Sequence, residues 1–470
     1  MERLPTHVAG LDDVLGGGIP LHSTILIAGA PGSGKTILAN QIAYSNATSE
    51  YRALIVTTVS EPLSRAVRFV QEFTFFDLDK LGSAVLYEDV GPLALKRNGE
   101  NLVAHIASLV EQYEPTILVI DSFKAISDLA ESPGAFRRET YELAARLAAL
   151  PCTTFLVGEY RWEDVMNSPE ASIADGILEL TLKPIGLRDF RSLRVRKLRG
   201  SGFRSGEHAF RIVQEGIRVF PRFVTPARPE RYEASVERVS TGIPGLDELV
   251  GGGLYRGTAT LVAGDPGVGK TVTALFFLVK GALAGEPGVY VSFQEDPSQL
   301  RRIARNFGID LDQLEAAGSV RMLYKSPVEL DIDEHVPLIV EAVESVGAKR
   351  VVIDSVRDFE AGAARDADRY FNYVYSLVQW FKTQGITSML TGEMSRMFGT
   401  DVVLSGRGVS HIADNLIALR YSPDDSTIRR AIAVLCTRGS EHSAAVREYR
   451  ISEPDGPSVG ELLPGVFTAA

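Results

Sequence analysis

Gly29-Ala30-Pro31-Gly32-Ser33-Gly34-Lys35-Thr36 and Gly264-Asp265-Pro266-Gly267-Val268-Gly269-Lys270-Thr271 are two copies of one eight-residue pattern. Each fits G-x-x-x-x-G-K-[ST], a loop that wraps the phosphates of a nucleotide. Glycines at these positions let backbone N–H groups curl around an anion that a side chain would hold away. The helix that follows such a loop points its positive end at the same phosphates. In this pattern Lys35 and Lys270 reach the β- and γ-phosphates of ATP, and the hydroxyls of Thr36 and Thr271 bind Mg²⁺.

The flanks repeat as well. Thr6-His7-Val8-Ala9-Gly10-Leu11-Asp12, followed by Leu15-Gly16-Gly17-Gly18, returns as Thr241-Gly242-Ile243-Pro244-Gly245-Leu246-Asp247, followed by Val250-Gly251-Gly252-Gly253. Lys35 and Lys270 stand 235 residues apart, and the acids Asp121 and Asp354 stand 233 apart. Lys197-Leu198-Arg199-Gly200-Ser201 and Cys436-Thr437-Arg438-Gly439-Ser440 keep nearly the same spacing. One offset maintained over so long a stretch means a duplicated domain, since a solenoid repeats every few tens of residues.

Within each half, apolar strands alternate with helical segments. Thr24–Ala30 reads as the strand that feeds the first loop, and Thr36–Ala47 as the helix after it. Ala53–Val59 is the next strand, Asn101–Tyr113 a helix stopped before Pro115, and Ile117–Asp121 a further strand. Continuous apolar strands separated by helices imply an α/β fold with a parallel sheet covered on both faces. The halves are expected at 3–225 and 235–470. Pro226 and Pro229, with Arg228 and Arg231, make 226–234 a stiff polar linker.

Bulk properties narrow the class. The 470 residues are 45% hydrophobic, ample for packed cores, and carry a net charge of −11. A negative chain is a poor general ligand for nucleic acid. Two cysteines, Cys152 and Cys436, make neither a disulfide framework nor a metal site. No membrane-length apolar run and no signal-peptide core are present, so a cytoplasmic protein is expected.

Asp121 and Asp354 end apolar strands and are each followed by serine. In a parallel sheet that edge faces the nucleotide, so both are candidate Mg²⁺ ligands, directly or through water. The alternative is a strand-end aspartate that caps the next helix.

The double GLD–GGG–GxPGxGKT pattern, the acidic strand ends and the late KLRGS/CTRGS motifs together resemble the KaiC family of clock-type ATPases and their bacterial and archaeal relatives. The resemblance spans essentially the whole chain. It implies two tandem RecA-like P-loop NTPase domains, each a mostly parallel sheet flanked by helices. It further implies stacked rings in an ATP-dependent homo-hexamer, with slow ATP hydrolysis at subunit interfaces, autophosphorylation in the second half and clock-type or signalling partner proteins.

The same resemblance points to a pair of glutamates after the second strand, one of which activates the attacking water. Such a base has to be a carboxylate within reach of that water. The second half reads Ser292-Phe293-Gln294-Glu295-Asp296-Pro297, which keeps one of the pair as Glu295. The first half reads Thr57-Thr58-Val59-Ser60-Glu61-Pro62, where Glu61 falls one residue late. It is either a displaced base or a first-turn acid of the next helix, 62–73. Finger residues that reach a neighbour's γ-phosphate match Lys197 and Arg199 in the first half and Arg438 in the second, with Cys436 at the lysine position. The other reading of these cations is a solvated strand face. Ser410 stands where the family carries a phosphoacceptor serine, and His411, which has no hydroxyl, replaces the adjacent threonine, so the other reading of Ser410 is a structural hydroxyl. The chain ends at Ala470, soon after Gly456-Pro457, so the long regulatory tail of the clock proteins is expected to be missing.

Two other functions fit parts of this pattern. The run 188–211 holds Arg188, Arg191, Arg194, Arg196, Lys197, Arg199, Arg204 and Arg211, as a RecA- or RadA-like DNA-linked ATPase would use. A nucleotide-gated scaffold with vestigial hydrolysis fits the missing glutamates of the first half. The expectation carried forward is an ATPase with two unequal sites, in which the second half is the faster.

Overall fold

The computed structural model describes residues 2–58, 63–92, 102–129, 132–165, 168–185, 188–225, 234–327, 330–363, 366–393, 409–424 and 427–463. The chain forms two compact units, Met1–Arg222 and Phe223–Ala470. Thr225 Oγ1 lies 2.8 Å from Ser376 Oγ, both within the second unit. Of the expected linker, only Ala234 is among the described residues.

The first unit is built on β1 (Thr24–Gly29), β2 (Ala53–Thr57), β3 (Val85–Asp89), β4 (Ile117–Asp121), β5 (Thr153–Glu159), β6 (Gly176–Ile185), β7 (Arg188–Leu198), β8 (His208–Val213) and β9 (Gly216–Phe220). They lie side by side in the order β9-β8-β7-β6-β1-β5-β4-β2-β3. The six strands from β3 to β6 are parallel, and β7, β8 and β9 extend the sheet antiparallel. The second unit repeats this with β10 (Ala259–Gly264), β11 (Gly288–Ser292), β12 (Val320–Tyr324), β13 (Arg350–Asp354), β14 (Thr387–Glu393), β15 (Asn415–Asp424), β16 (Thr427–Thr437), β17 (Arg447–Ser452) and β18 (Gly456–Leu462), in the order β12-β11-β13-β14-β10-β15-β16-β17-β18. The expected parallel α/β sheet is present in both halves. What apolar strand runs did not signal is the antiparallel wing, whose strands show partly exposed faces.

Burial explains the strand composition. Every residue of β2, β11 and β13 is buried, because helices cover both faces of the parallel strands and leave no polar side. In the first unit one core forms where α1 (Lys35–Asn46) meets the sheet, and another where the helices Leu102–Tyr113 and Pro133–Leu147 cover the opposite face. The second unit has the same two layers, with α2 (Lys270–Leu283) on one face and Ile332–Val346 with Ala367–Thr383 on the other.

The repeated GLD segments hold the corner of each unit. Asp12 accepts from the Thr6 backbone N–H at 2.9 Å and from its hydroxyl at 2.7 Å, and Asp247 does the same for Thr241 at 2.7 and 2.6 Å. Gly10 has φ +77°, and a Cβ there would stand 2.1 Å from the Val219 carbonyl oxygen, so only glycine fits. These motifs are architectural.

Candidate functional site

Both candidate sites lie at the carboxyl ends of the parallel strands, outside the central strand β1 or β10. Gly29 and Gly264 end those strands, and the helices α1 and α2 begin at Lys35 and Lys270. Gly34 and Gly269, immediately before, have φ of +100° and +112°. No side chain caps either helix, which leaves the first-turn N–H groups directed into the loop, the arrangement that binds phosphate.

The lysines fold back over their loops. Lys35 Nζ donates to the Ala30 carbonyl at 2.9 Å, and Lys270 Nζ donates to the Gly264 and Asp265 carbonyls at 2.9 Å each. Burial lowers the pKa of both ammonium groups, opposed by Glu159 and Asp121 around Lys35 and by Asp354, Asp265 and Glu295 around Lys270. A desolvated cation beside an uncapped helix end gains from an anion placed between them.

Thr36 Oγ1 donates to Asp121 Oδ2 at 2.6 Å, and Thr271 Oγ1 donates to Asp354 Oδ2 at 2.8 Å. The sequence reading paired these residues across 85 and 83 positions of chain, and the fold brings each pair together. A hydroxyl and a carboxylate beside a phosphate loop are the hard oxygen donors that Mg²⁺ takes, with the nucleotide's own phosphates completing the set. Among the described residues no group of three or more His, Cys, Asp or Glu forms a metal cluster of its own. Buried in the first loop, Ser33 Oγ has no hydrogen-bond partner, a polar atom left for a ligand. Both sites therefore fit Mg²⁺-nucleotide.

The sites differ in what surrounds the aspartate. Asp354 is buried and also accepts from Tyr290 OH at 2.7 Å and from Thr391 Oγ1. The corresponding first-half residues are Ile55 and Val157, which have no hydroxyl. Burial, with Asp354 beside it, pushes the Tyr290 phenol well above its ordinary value, so it stays protonated and donating. Neither Tyr290 nor Thr391 was singled out from sequence. The only signal for Tyr290 was a phenol in an otherwise apolar stretch, and Thr391 is one of several polar residues in its strand.

Glu295 sits in the turn between β11 and the helix Pro297–Asn306. The N-cap of that helix is Asp296, which forms a capping box with Gln299. Glu295 is thus not needed as a cap. Burial raises its pKa, Asp354 and Asp358 add to the rise, and Lys270 opposes it. Gln294 donates to Asp358 Oδ2 at 3.2 Å. Glu61 lies outside the described residues, as do Val59 and Ser60.

In the first unit these groups surround a cavity of about 760 Å³ lined by Gly32, Lys35, Thr36, Tyr87, Asp121 and Glu159 among others. Glu159, at the end of β5 and paired in register with Gly29, was missed by the sequence reading.

The proposed finger residues lie on the other edge of the sheet. Lys197 pairs with Ile177 at the start of β6, and the Arg199 N–H donates to the Asp175 carbonyl, whose own N–H donates to Thr24 at the start of β1. Arg438 repeats this: its N–H donates to Asp414, whose N–H donates to Ala259 at the start of β10. The six residues of β1 span about 17 Å at about 3.3 Å per residue, so none of the three is near the phosphate loop of its own half. Arg199 is exposed and meets Asp175 at 3.3 Å, while Arg438 Nη2 donates to the His411 carbonyl at 2.8 Å. Lys197 Nζ donates to Ala171 O at 3.2 Å, and burial lowers its pKa, with Arg199 adding to the effect. Cys436 is exposed. Ser410 belongs to a short helix, Val409–Ile412, and its side chain lies outside the described set.

Other arginines of the basic run are already engaged. Arg196 meets Glu179 at 2.7 Å and stacks 4.1 Å from the Trp162 ring centroid, and Arg194 meets Glu207 at 3.5 Å.

The family model for the KaiC ATPase matches residues 4–223 and again 239–463, one copy per unit. The chain belongs to the KaiC ATPase family. Over 98% of its length it is 30% identical to a protein named circadian clock oscillator protein KaiC from Rippkaea orientalis, covering 89% of that protein. The protein of the same name from Thermostichus vulcanus is 30% identical over 96% of this chain and 88% of its own length, and that from Acaryochloris marina is 29% identical over 98% and 88%. The KaiC ATPase model thus covers both phosphate loops, both Thr–Asp pairs and both finger segments.

Proposed function

We propose that this KaiC-family ATPase hydrolyses ATP with Mg²⁺ at the interfaces of a ring of identical subunits, a hexamer by family likeness, working in the cytoplasm. The observation that carries this reading is the separation of each unit's cations from its own phosphate loop. Lys197, Arg199 and Arg438 can meet a γ-phosphate only when a second copy brings its loop to that sheet edge. The domain limits 3–225 and 235–470, joined by 226–234, make each unit one tier of such a ring.

Within a site, the loop N–H groups and Lys35 or Lys270 hold the phosphates. Thr36 with Asp121, and Thr271 with Asp354, would hold a Mg²⁺, which would supply positive charge to offset that of the phosphates. In the second half Glu295, whose charge acts on Lys270 and is itself acted on by Asp354, is the base that orients water at the γ-phosphate, and its raised pKa suits that role. The neighbour's Arg438 offsets charge developing in the transition state. Ser410 is the phosphoacceptor of a secondary autokinase activity, and partner proteins of the signalling or clock type read the state of the ring. The acid partners of Arg194, Arg196 and Arg199 weigh against a DNA grip by that strip.

Sizing the protein with and without ATP while recording phosphate release tests the proposal. An ATP-dependent shift to a species of about six chains, with turnover proportional to that species, is expected. A monomer that hydrolyses ATP at full rate would sink it, and a ring without turnover would leave the scaffold reading instead.

A further inference from the structure

The first half has no glutamate at the two positions where the second half has Gln294 and Glu295, yet its cavity contains a carboxylate at another place. Glu159 ends β5, and its Cα is the register partner of Gly29, the first residue of the phosphate loop. It lines the cavity together with Lys35 and Asp121. Asp121 is engaged by Thr36. Among the described residues the Glu159 carboxylate enters no ion pair and no hydrogen bond, and it is exposed to the solvent that fills the cavity. Of the acids acting on the Lys35 ammonium, Glu159 has the larger effect, ahead of Asp121.

The second half places the same residue differently. Its counterpart, Glu393, ends β14 in register with Gly264, but it is held in an ion pair by Arg357. Arg357 stands three residues after Asp354. The residue three after Asp121 is Lys124, whose Nζ donates to Ser127 Oγ at 2.8 Å and lies 6.0 Å from the Tyr160 ring centroid. The half that has Glu295 neutralises its strand-end glutamate, and the half without it leaves that glutamate facing the cavity.

We propose that Glu159 is the catalytic base of the first half, a carboxylate recruited from the strand beside the phosphate loop rather than from the turn after β2. A water between Glu159 and the γ-phosphate gives its proton to a Glu159 carboxylate oxygen as its own oxygen bonds to the γ-phosphorus. The bond from that phosphorus to the β–γ bridging oxygen breaks, its electron pair leaves with ADP, and the proton is then passed to the phosphate or to solvent. This rests on the reading of the first half as a nucleotide site, and the test separates the two.

The full chain carrying Lys270→Ala, which disables the second site, is assayed for ATP turnover and for binding of a fluorescent ATP analogue. Residual turnover is expected, and adding Glu159→Gln should lower it by about 100-fold, within the usual range for a general base. Binding should persist or tighten, because a negative charge beside the phosphates is removed. Glu159→Asp should recover part of the rate. Retained binding together with unchanged turnover in Glu159→Gln overturns the proposal, as does loss of turnover in Glu61→Gln in its place. Absence of turnover in Lys270→Ala, with analogue still bound and released by a further Lys35→Ala, also overturns it while leaving the first half a nucleotide site. No binding at all would instead remove the underlying reading.

Discussion

The two halves share strand order, phosphate loop, Thr–Asp pair and the corner held by Asp12 or Asp247, yet they finish their sites with different side chains. In the second, Asp354 is fixed by three hydroxyls, Glu295 stands beside Lys270, and Glu393 is paired with Arg357. In the first, Ile55 and Val157 replace two of the hydroxyl donors and Glu159 faces the cavity. A duplicated fold keeps what the backbone needs and varies what lies at the strand ends. The loops are built alike, and the side chains beside them differ strand by strand.

The finger residues offer the sharpest way to separate the tiers. Loss of an arginine finger costs about 10³-fold or more. Arg438→Ala should remove turnover from the second site to that extent and leave the first, while Arg199→Ala should do the reverse. Mixing each variant with the matching lysine variant provides the check. Arg438→Ala chains supply intact loops and Lys270→Ala chains supply intact fingers, so mixed rings should regain part of the lost rate. No recovery on mixing would mean that Arg438 does not act on a neighbour.

Glu295→Gln should cost about 10²-fold in the turnover that depends on Lys270. The pH profile sharpens it. Burial, with Asp354 nearby, holds the Glu295 carboxyl above the ordinary glutamate range, and only the deprotonated form accepts a proton. Turnover of the second site should therefore rise with pH through that raised value, with its acid limb above that of a free glutamate. Rates measured from pH 4 to 8 in the Lys35→Ala background should lose this limb in Glu295→Gln. A limb that persists would assign it to another group.

A third contrast lies in the cores. His335, in the helix before β13, is buried with its Nε2 unpartnered, where the first half has the buried Leu102. Burial, with Lys325 adding to it, lowers its pKa to about 4. The unfolded chain then binds a proton near pH 6.5 that the folded unit refuses until about pH 4, so this contribution to stability is intact above pH 6.5 and is lost as pH falls below it. Between pH 7 and pH 5 the loss is about 2 kcal/mol. Denaturant melts of the second unit at the two pH values should show it, and His335→Leu should remove it. Equal acid sensitivity in that variant would exclude His335 as the source.

Where sequence and structure agree, the physics is local. Glycines that must adopt positive φ, a lysine after them and an aspartate ending an apolar run are each legible because one stretch of chain dictates them. Helix limits moved by a residue or two, as with α1 at Lys35–Asn46 against 36–47. Glu159 and Thr391 were not legible, since a residue at the end of a strand matters only through which strand lies beside it. That neighbour relation, β5 against β1 and β14 against β10, follows from sheet order, which the alternation of strands and helices does not determine. That Arg199 and Arg438 lie away from their own loops was expected only from the family resemblance, for the same reason. The motifs are short, and the distance between the two edges is a property of the sheet.

The smallest effect probes whether the hydroxyl cage around Asp354 has a function. Tyr290→Phe removes one donor and leaves ring packing in place, and it makes the second site more like the first, where Ile55 stands. One lost hydrogen bond is worth about 1 kcal/mol, so the second unit should melt at slightly lower denaturant. If the cage only stabilises the fold, the Mg²⁺ concentration for half-maximal turnover will not move. If it aims the carboxylate, as the shared Oδ2 contact of Tyr290 and Thr271 suggests, that concentration should rise about fivefold, the equivalent of about 1 kcal/mol. The double variant with Thr391→Val should exceed the sum of the two singles, because both hydroxyls hold one carboxylate. An additive pair with unchanged Mg²⁺ dependence would make the cage a structural difference between the halves, and leave Glu295 as the group that distinguishes their chemistry.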